Sequence, residues 1–260
     1  MPELPEMQAY RDWVDAAFNG ASLKKFAVSR EKKVNAPVAT VSAGIEGHQL
    51  DAIDRTGKEL VFRFKDGDSL GVHLMIAGRF KIVPAEDDPP ERVVGTFEFD
   101  NDKTLYVTDR AGFAKFKHNP PPPTAPDALS ENVDAYFLRK RFAASPRANI
   151  KAFLMDQDQI MGIGNANSDE ILWAAKIAPQ SKVGALPDKV VEKLATTIHE
   201  VLNEGVKRVG ALENPSGYRE ARMAEVHDPK RKTSPTGAEI QTAKVAGRTA
   251  FFTDEQVLYE

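Results

Sequence analysis

The sequence contains no cysteine, no long apolar run and little excess charge of either sign. Without cysteine the chain has no disulfide, no thiol nucleophile and no thiolate zinc site. Its five histidines are scattered, so we expect no metal and no other cofactor. No stretch approaches the ~18 uninterrupted apolar residues of a membrane helix, and the first residues lack the pattern of a secretion signal. These absences predict a cytoplasmic protein with no membrane partner.

The formal net charge of −3 is unevenly distributed along the chain. Residues 139–260 include 18 basic and 16 acidic side chains, whereas residues 1–138 include 17 and 22. Within residues 139–151 there are five basic side chains and no carboxylate. Clustered Lys and Arg can neutralise phosphate groups, but such runs are also common on solvated helix faces. Charge alone leaves both interpretations open.

A proline-rich stretch divides the chain into two segments with different hydrophobic periods. Residues 119–131 are predicted to be a linker, since consecutive prolines donate few backbone hydrogen bonds. Before them, residues 7–18 have helical spacing and are followed by alternating strand patterns, including residues 60–64 and a hairpin centred on residues 100–102. The fold class is therefore α+β, with an N-terminal helix and a β-sandwich at residues 2–118.

After the linker the hydrophobic period becomes 3.6 residues, which indicates helices. The predicted helices are 133–142, 150–157, 168–177 and 187–203. Asn167 and Glu170 form a predicted capping box at the start of the third helix, and Gly205 is expected to follow the end of the fourth. Residues 238–241 and 249–252 are predicted to pair as a terminal hairpin. A second domain is thus expected at 132–260, with a finger hairpin at about 226–260.

The N-terminus offers an unusual nucleophile. Removal of Met1 would expose the secondary amine of Pro2, which can attack an aldehyde carbon and give an iminium. Glu3 would be placed to transfer protons, and Glu6 lies one helical turn further along. The alternative is structural, because prolines and glutamates are ordinary residues at the start of a helix.

A glycine-rich turn lies between the second and third predicted helices. Gly162 and Gly164 permit positive φ angles, so that neighbouring N–H groups can converge on a phosphate, and Asn165 adds an amide. A dinucleotide fingerprint is excluded, because the third glycine is missing and no strand precedes the turn. A plain structural turn remains possible for this segment alone.

Together these motifs resemble the formamidopyrimidine-DNA glycosylase family over nearly the whole chain. The matching stretches, in order, are residues 2–6 at the start, 56–58 as a lysine turn, 73–79 as a strand and loop, 150–170 as a helix–two-turn–helix, and 247–252 as the tip of a finger hairpin. The resemblance implies a glycosylase and abasic-site lyase that removes oxidised bases from double-stranded DNA and then nicks the strand. It also implies a nucleotide flipped out of the duplex.

The resemblance assigns roles to individual residues. It implies that Pro2 attacks C1′ of the damaged nucleoside, that Glu3 transfers protons during β- and δ-elimination, and that Lys58 acts with them at the phosphate beside the lesion. The other residues expected to contact DNA are Glu6, His73, Ile76, Arg110, Phe113, Lys151, Gly164, Asn165 and Arg248. A monomer is expected.

Two departures from the family pattern affect these expectations. The family usually closes its finger with four cysteines around zinc, whereas residues 233–237 and 253–256 contain none, as in a zincless branch. Packing must then replace the metal, and the expected finger core is Ile240, Val245, Phe251, Phe252 and Val257.

The second departure concerns the residues that fill the DNA void. Ile76 stands at the family's Met position, and Ala111 stands where an Arg is expected, with Arg110 adjacent and Phe113 retained. The segment 214–226, which carries a lesion-covering loop in relatives, is short. We therefore expect formamidopyrimidines, hydantoins and abasic sites to be better substrates than 8-oxoguanine, and a weak preference for the opposite base.

Two other functions remain open from the sequence. One is a DNA-binding module that recognises bent or abasic DNA without cutting it. Pro2, Glu3 and Lys58 together argue against it, because a pure binder needs no reactive terminus. The other is a structural protein unrelated to DNA, which would show no salt-sensitive binding to duplex.

Overall fold

The computed structural model describes residues 1–217 and 224–260. They form two compact units. The first contains residues 1–122 and a returning segment that begins at Val209, and the second contains residues 123–208 and the C-terminal segment through Glu260. Among the described residues no helix is both long and apolar enough to cross a membrane.

The first unit consists of two helices and eight antiparallel strands. The helices are α1 (Leu4–Phe18) and α2 (Val38–Ile45). The strands are β1 (Leu23–Val28), β2 (Leu50–Thr56), β3 (Glu59–Phe64), β4 (Ser69–His73), β5 (Gly78–Pro84), β6 (Val93–Phe99), β7 (Lys103–Asp109) and β8 (Lys115–His118). The predicted N-terminal helix and β6–β7 hairpin are confirmed.

Two four-stranded sheets make up the sandwich, in the orders β1-β6-β7-β5 and β2-β3-β4-β8. Their inner faces meet through aromatic side chains: Phe62 of β3 stacks on Phe97 of β6 with ring centroids 5.3 Å apart. Phe97 is fully buried and also lies against Phe26 and Phe116. This shared core fixes the two sheets relative to each other.

The second unit contains four helices and a hairpin. The helices are α3 (Ala135–Ala144), α4 (Ile150–Met155), α5 (Asn165–Ala175) and α6 (Asp188–Gly210), and the strands are β9 (Gln241–Val245) and β10 (Arg248–Phe252). Asp134 and Asn149 cap α3 and α4 through side-chain oxygens that accept backbone N–H groups. Ala246 and Gly247 both have positive φ, as a two-residue hairpin turn requires.

Three predicted boundaries in the second unit are wrong. Helix α5 begins at Asn165 with Gly164 as its N-cap, so that Asn167 lies inside the helix and does not cap it. Helix α6 continues through the buried Gly205 to Gly210, because its apolar side extends to Val209. The first finger strand is 241–245, three residues later than expected, since pairing is set from the turn at residues 246–247.

Residues near both predicted domain boundaries are buried within one of the two units. Ala128, within the predicted linker, is buried, and its N–H donates to the carbonyl of Met161 in the second unit. Val209 lies in the range assigned to the second domain but belongs to the hydrophobic core of the first unit. Apolar burial, which local composition does not reveal, decides both placements.

The aromatic core yields a prediction about stability. Phe97→Ala is expected to lower the free energy of unfolding of the first unit by about 3–5 kcal/mol, because it leaves a cavity among buried rings. Phe113→Ala is the matched control, since that ring is 53% exposed and its loss is expected to change stability by less than about 0.5 kcal/mol. Urea unfolding followed by Trp13 fluorescence, in a Trp173→Phe background, isolates the first unit. Equal losses for the two variants would contradict the assignment of the core.

Candidate active site

The start of α1 holds Pro2 and two glutamates in a buried, reciprocal arrangement. Pro2 is buried, and Glu3 and Glu6 are 3% and 1% exposed. The N–H of Glu3 donates to Oε2 of Glu6 at 2.7 Å, and the Glu3 carboxylate accepts the backbone N–H of Glu6. This capping box fixes the Glu3 carboxylate directly after Pro2. Glu6, which was expected to contact DNA, instead positions Glu3 from inside the unit.

Lys58 lies in the tight turn between β2 and β3. Thr56 pairs with Glu59, so Gly57 and Lys58 form a two-residue turn, and Gly57 has a φ of +57°. A side chain with a β-carbon would be strained at that φ, which explains the glycine. Lys58 is only 8% exposed, so its position is set by the unit and not by solvent.

His73, at the end of β4, lies close enough to Lys58 to feel its charge. Burial, followed by the positive charges of Lys58 and Lys117, lowers the pKa of His73 to about 4. The ring is therefore neutral at pH 7. Its Nδ1 accepts the N–H of Met75 at 2.9 Å, which leaves Nε2 to carry the proton and act as a donor.

Two loops cross from one sheet to the other at this end of the sandwich, residues 74–77 and 110–114. They carry two of the six large apolar side chains found exposed among the described residues, Ile76 (57%) and Phe113 (53%). Arg110 is exposed at the start of the second loop. The structure thus brings Ile76, Arg110 and Phe113 to the same end as Lys58 and His73.

The 110–114 loop is ordered by two residues that the sequence analysis missed. The buried carboxylate of Asp109 accepts the N–H groups of Ala111, Phe113 and Ala114 at 2.6–2.9 Å. The ammonium of Lys33 donates to the carbonyl of Gly112. An Asp that opens a loop and bonds to the backbone ahead of it is a recognisable turn signal, whereas Lys33 comes from a distant segment and gives no such signal.

In the second unit, the buried carboxylate of Asp169 joins four segments. It pairs with the ammonium of Lys151 on α4, bonds to Nδ1 of His227 at 2.7 Å and accepts the N–H of Phe251 on β10 at 3.1 Å. Lys151 is fully buried and also donates to Ser168 at 3.2 Å. Lys151, which was expected to contact DNA, lies fully buried and ion-paired inside the second unit. Its role is to position the turn.

Glu170, next along α5, holds the C-terminal end of the expected lesion-covering segment 214–226. Its carboxylate accepts the N–H groups of Glu225, Val226 and His227 at 2.8–3.2 Å. Burial raises the pKa of Glu170 to about 7, against the lowering effect of those hydrogen bonds. Of the segment 214–226, residues 218–223 lie outside the described residues.

Gly164, Asn165 and the hairpin tip are brought together within the second unit. The amide nitrogen of Asn165 donates to the carbonyl of Thr249 at 3.2 Å, next to the exposed Arg248. Oδ1 of Asn165 is buried without a hydrogen-bond partner among the described residues. This start of α5 also carries the positive end of the helix dipole, which favours an anion.

The finger is closed by a carboxylate and hydroxyl groups. Oε2 of Glu255 accepts hydrogen bonds from Thr236 at 2.8 Å, Thr253 at 3.2 Å and Trp173 at 3.3 Å, and pairs with Lys176 at 3.3 Å. One carboxylate with hydroxyl, indole and ammonium groups does not fit a structural zinc ion, whose four ligands are Cys and His side chains. In the part of the chain that the structure describes, no group of three or more potential metal-ligating side chains was found.

The expected apolar core of the finger is correct only in part. Val245 and Phe251 are buried, Ile240 and Phe252 are half-buried, and Val257 is 51% exposed. The fully buried Ala250 takes part instead. Gln256, whose amide donates to the carbonyl of Ile177 at 2.7 Å, anchors the end of the finger beside Val257.

Comparison with known proteins gives the same family for both units. The model of the formamidopyrimidine-DNA glycosylase N-terminal domain matches residues 1–116, and that of the H2TH domain matches residues 124–214. The formamidopyrimidine-DNA glycosylase of Symbiobacterium thermophilum is 31% identical over 81% of this chain and 72% of its own. The chain belongs to the formamidopyrimidine-DNA glycosylase family.

Other members of the family extend the likeness to structure. The enzyme of Lactiplantibacillus plantarum is 28% identical over 78% of this chain and 76% of its own. A solved complex of MutM with DNA containing carbocyclic 8-oxo-G has a TM-score of 0.87 at 26% identity, over 98% of this chain and 99% of that one. The Lactococcus lactis glycosylase bound to DNA with an abasic site has a TM-score of 0.85 at 24% identity, over 98% and 99%, and supports the fold.

The depressed pKa of His73 predicts a pH-dependent contribution to stability. The unfolded state binds a proton below about pH 6.5 and the folded state only below about pH 4, so the free energy of unfolding falls as the pH drops through this window. The loss should reach about 3 kcal/mol. His73→Asn keeps an acceptor for the N–H of Met75 and removes this dependence. The free energy of unfolding of wild type minus that of the variant, measured by urea unfolding with Trp13 as reporter, should fall by about 3 kcal/mol from pH 7 to pH 4. A difference independent of pH would refute the assignment.

The Asp169 carboxylate generates a second prediction. Asp169→Asn leaves the Lys151 ammonium buried without a counter-charge and should lower the free energy of unfolding of the second unit by about 3–5 kcal/mol. The control is Asp188→Asn, whose side chain is 81% exposed in its pair with Arg139 and should matter by less than about 1 kcal/mol. Trp173 fluorescence in a Trp13→Phe background reports the second unit. Similar effects of the two substitutions would exclude the proposed role of Asp169.

Proposed function

We propose that this protein is a DNA glycosylase and abasic-site lyase of base excision repair that acts on oxidised bases in duplex DNA. The observation that carries the proposal is the buried capping box at the start of α1, which fixes the Glu3 carboxylate directly after Pro2 in a chain of this family. Curated relatives carry the names of such enzymes, and the alternative of a non-catalytic binding module finds no support among them.

The proposed chemistry begins at the nitrogen of Pro2 once Met1 is removed. The unprotonated amine attacks C1′, and the bond from C1′ to the damaged base breaks as the base leaves with a proton. Opening of the C1′–O4′ bond gives an iminium between Pro2 and the sugar, with Glu3 supplying the proton that O4′ takes up. Loss of a C2′ proton expels the 3′ phosphate, a second elimination expels the 5′ phosphate, and water then releases Pro2.

Phosphate contacts are proposed for residues in both units. Lys58 and the Nε2–H of neutral His73 supply donors from the first unit. Oδ1 of Asn165 is a buried hydrogen-bond acceptor and cannot bind an anion. We therefore propose that Nδ2 of Asn165 and the exposed guanidinium of Arg248 donate hydrogen bonds to the phosphate. Ile76 and Phe113, exposed on the two crossing loops, are proposed to fill the space of the flipped nucleotide.

The lesion preference follows from the same loops. Formamidopyrimidines, hydantoins and abasic sites are proposed as better substrates than 8-oxoguanine, and discrimination of the opposite base is proposed to be weak because Ala111 has no polar side chain. We further propose that the protein acts as a monomer in the cytoplasm, associated with the nucleoid through DNA binding.

Covalent trapping tests the nucleophile. With sodium borohydride and a duplex containing one abasic site, the wild-type protein should form a cross-link that survives denaturation, because hydride reduces the iminium to a stable amine. An alanine inserted between Met1 and Pro2 should abolish the cross-link and the strand nick, since Pro2 then lies in an amide bond. The matched control adds one alanine after Glu260 and should behave as wild type.

The outcomes separate the proposals. Intact mass measurement should find that Met1 is absent from active material, and Met1 retained there would exclude Pro2 as the nucleophile. A cross-link that persists in the inserted variant would show that another amine is the nucleophile. Salt-sensitive binding to the abasic duplex without any nick would favour the binding module, and the absence of any duplex binding would remove DNA as the partner.

A further inference from the structure

Four arginines stand at one end of the sheet β1-β6-β7-β5, one at the end of each strand. Arg30 follows β1, Arg92 precedes β6, Arg110 follows β7 and Arg79 is the second residue of β5. We call them the arginine rim. The strand register places these ends together, because Val28 pairs with Gly95, Val93 with Thr108, and Asp109 with Gly78.

The rim surrounds real surface cavities. Arg30, Arg92 and Arg110 line one of about 390 Å³, together with Lys33 and Gly112. Arg79, Arg92 and Arg110 line a neighbouring one of about 830 Å³, along with Lys81 and Glu91. Arg92 and Arg110 therefore line both cavities, while Arg30 lines only the first and Arg79 only the second.

Three of the four arginines of the rim are exposed cations. Among the described residues, Arg30, Arg92 and Arg110 form no ion pair, and all three are exposed. The nearest buried carboxylate, Asp109, is occupied by three backbone N–H groups. Burial lowers the pKa of Lys33, the charge of Asp109 opposes that shift, and the charges of Arg30 and Lys32 lower the pKa further. Unpaired cations around a concave surface favour an anion.

The second sheet has its own basic positions at the same end of the sandwich. Lys58, His73 and Lys115 lie at the ends of β3, β4 and β8, which pair with one another there. The crossing loops 74–77 and 110–114, with Ile76 and Phe113, run between this row and the arginine rim. Packed sheets lie about 10 Å apart. That spacing falls between the widths of the minor and major grooves of DNA, about 6 and 12 Å.

We propose that the arginine rim, through Arg30 and Arg92, binds backbone phosphates of the DNA strand opposite the lesion. This rests on the proposed function, in which Lys58 and His73 face the damaged strand and the two crossing loops enter the duplex between the strands. A duplex laid across this end of the sandwich then presents its other backbone to the other sheet. Guanidinium groups suit phosphate because their fork of donors matches its oxygens.

Binding of a duplex with a non-cleavable abasic analogue tests the proposal. The double variant Arg30→Gln/Arg92→Gln should bind more weakly, and the slope of log K against log salt should become less steep by about 0.9 for each lost phosphate contact. The matched control is Lys24→Gln/Lys103→Gln, which removes two exposed cations from the opposite end of the same sheet and should leave the slope unchanged.

Methylphosphonate linkages, which carry no charge, show which of the two DNA strands the arginine rim contacts. Placed opposite the analogue in the undamaged strand, they should weaken binding of wild type but not that of the rim variant, because the contact is already lost. Placed in the damaged strand, they should weaken both proteins equally. The proposal would be overturned if methylphosphonates in the damaged strand weakened binding of wild type but not that of the rim variant. A rim variant with the same salt slope as wild type would overturn it too. Failure of wild type to bind any abasic duplex would instead remove the proposed function.

Discussion

Hydrogen bonds from backbone N–H groups to buried carboxylates hold several segments of the candidate site in both units. Glu3 does this at the start of α1, Asp109 in the loop that carries Phe113, and Asp169 and Glu170 at the turn and the finger. A buried carboxylate is costly unless it is bonded or paired, so each fixes its loop in one arrangement. For a protein whose proposed ligand is a polyanion, this keeps negative charge inside and leaves cations such as Arg248 facing outward.

The sequence predicted the parts of the fold that depend on local pattern. The helix α1, the β6–β7 hairpin and the helical character of the second unit follow from periodicity and turn residues, and the family resemblance added the order of the motifs. Boundaries set by long-range packing were missed, as at Gly205, where burial outweighs the cost of about 1 kcal/mol for a glycine inside a helix. Lys151 and Glu6 were expected to contact DNA because they are charged. A sequence does not show that such a side chain is buried and bonded to another residue of the same chain, as both are here.

The finger shows how a metal site can be replaced without an enlarged apolar core. Zinc joins ligands from separate segments through one centre, and Glu255 does the same through one oxygen that meets Thr236, Thr253 and the side chains of α5. Hydrogen bonds of this kind contribute about 1 kcal/mol each, far less than a structural zinc ion. The Phe251 N–H bond to Asp169 adds a further connection between the hairpin and α5.

The two departures around the DNA void have a common physical consequence. Ala111 has no group that can hydrogen-bond to an orphaned base, while Arg30 and Arg92 offer charge to a backbone that is the same for every sequence. Contacts of this kind contribute affinity without reading the opposite base. Selectivity must then arise on the side of the flipped nucleotide, where unstacking is cheapest for a damaged or missing base. In the proposed arrangement the opposite strand therefore serves to hold the duplex and is not read base by base.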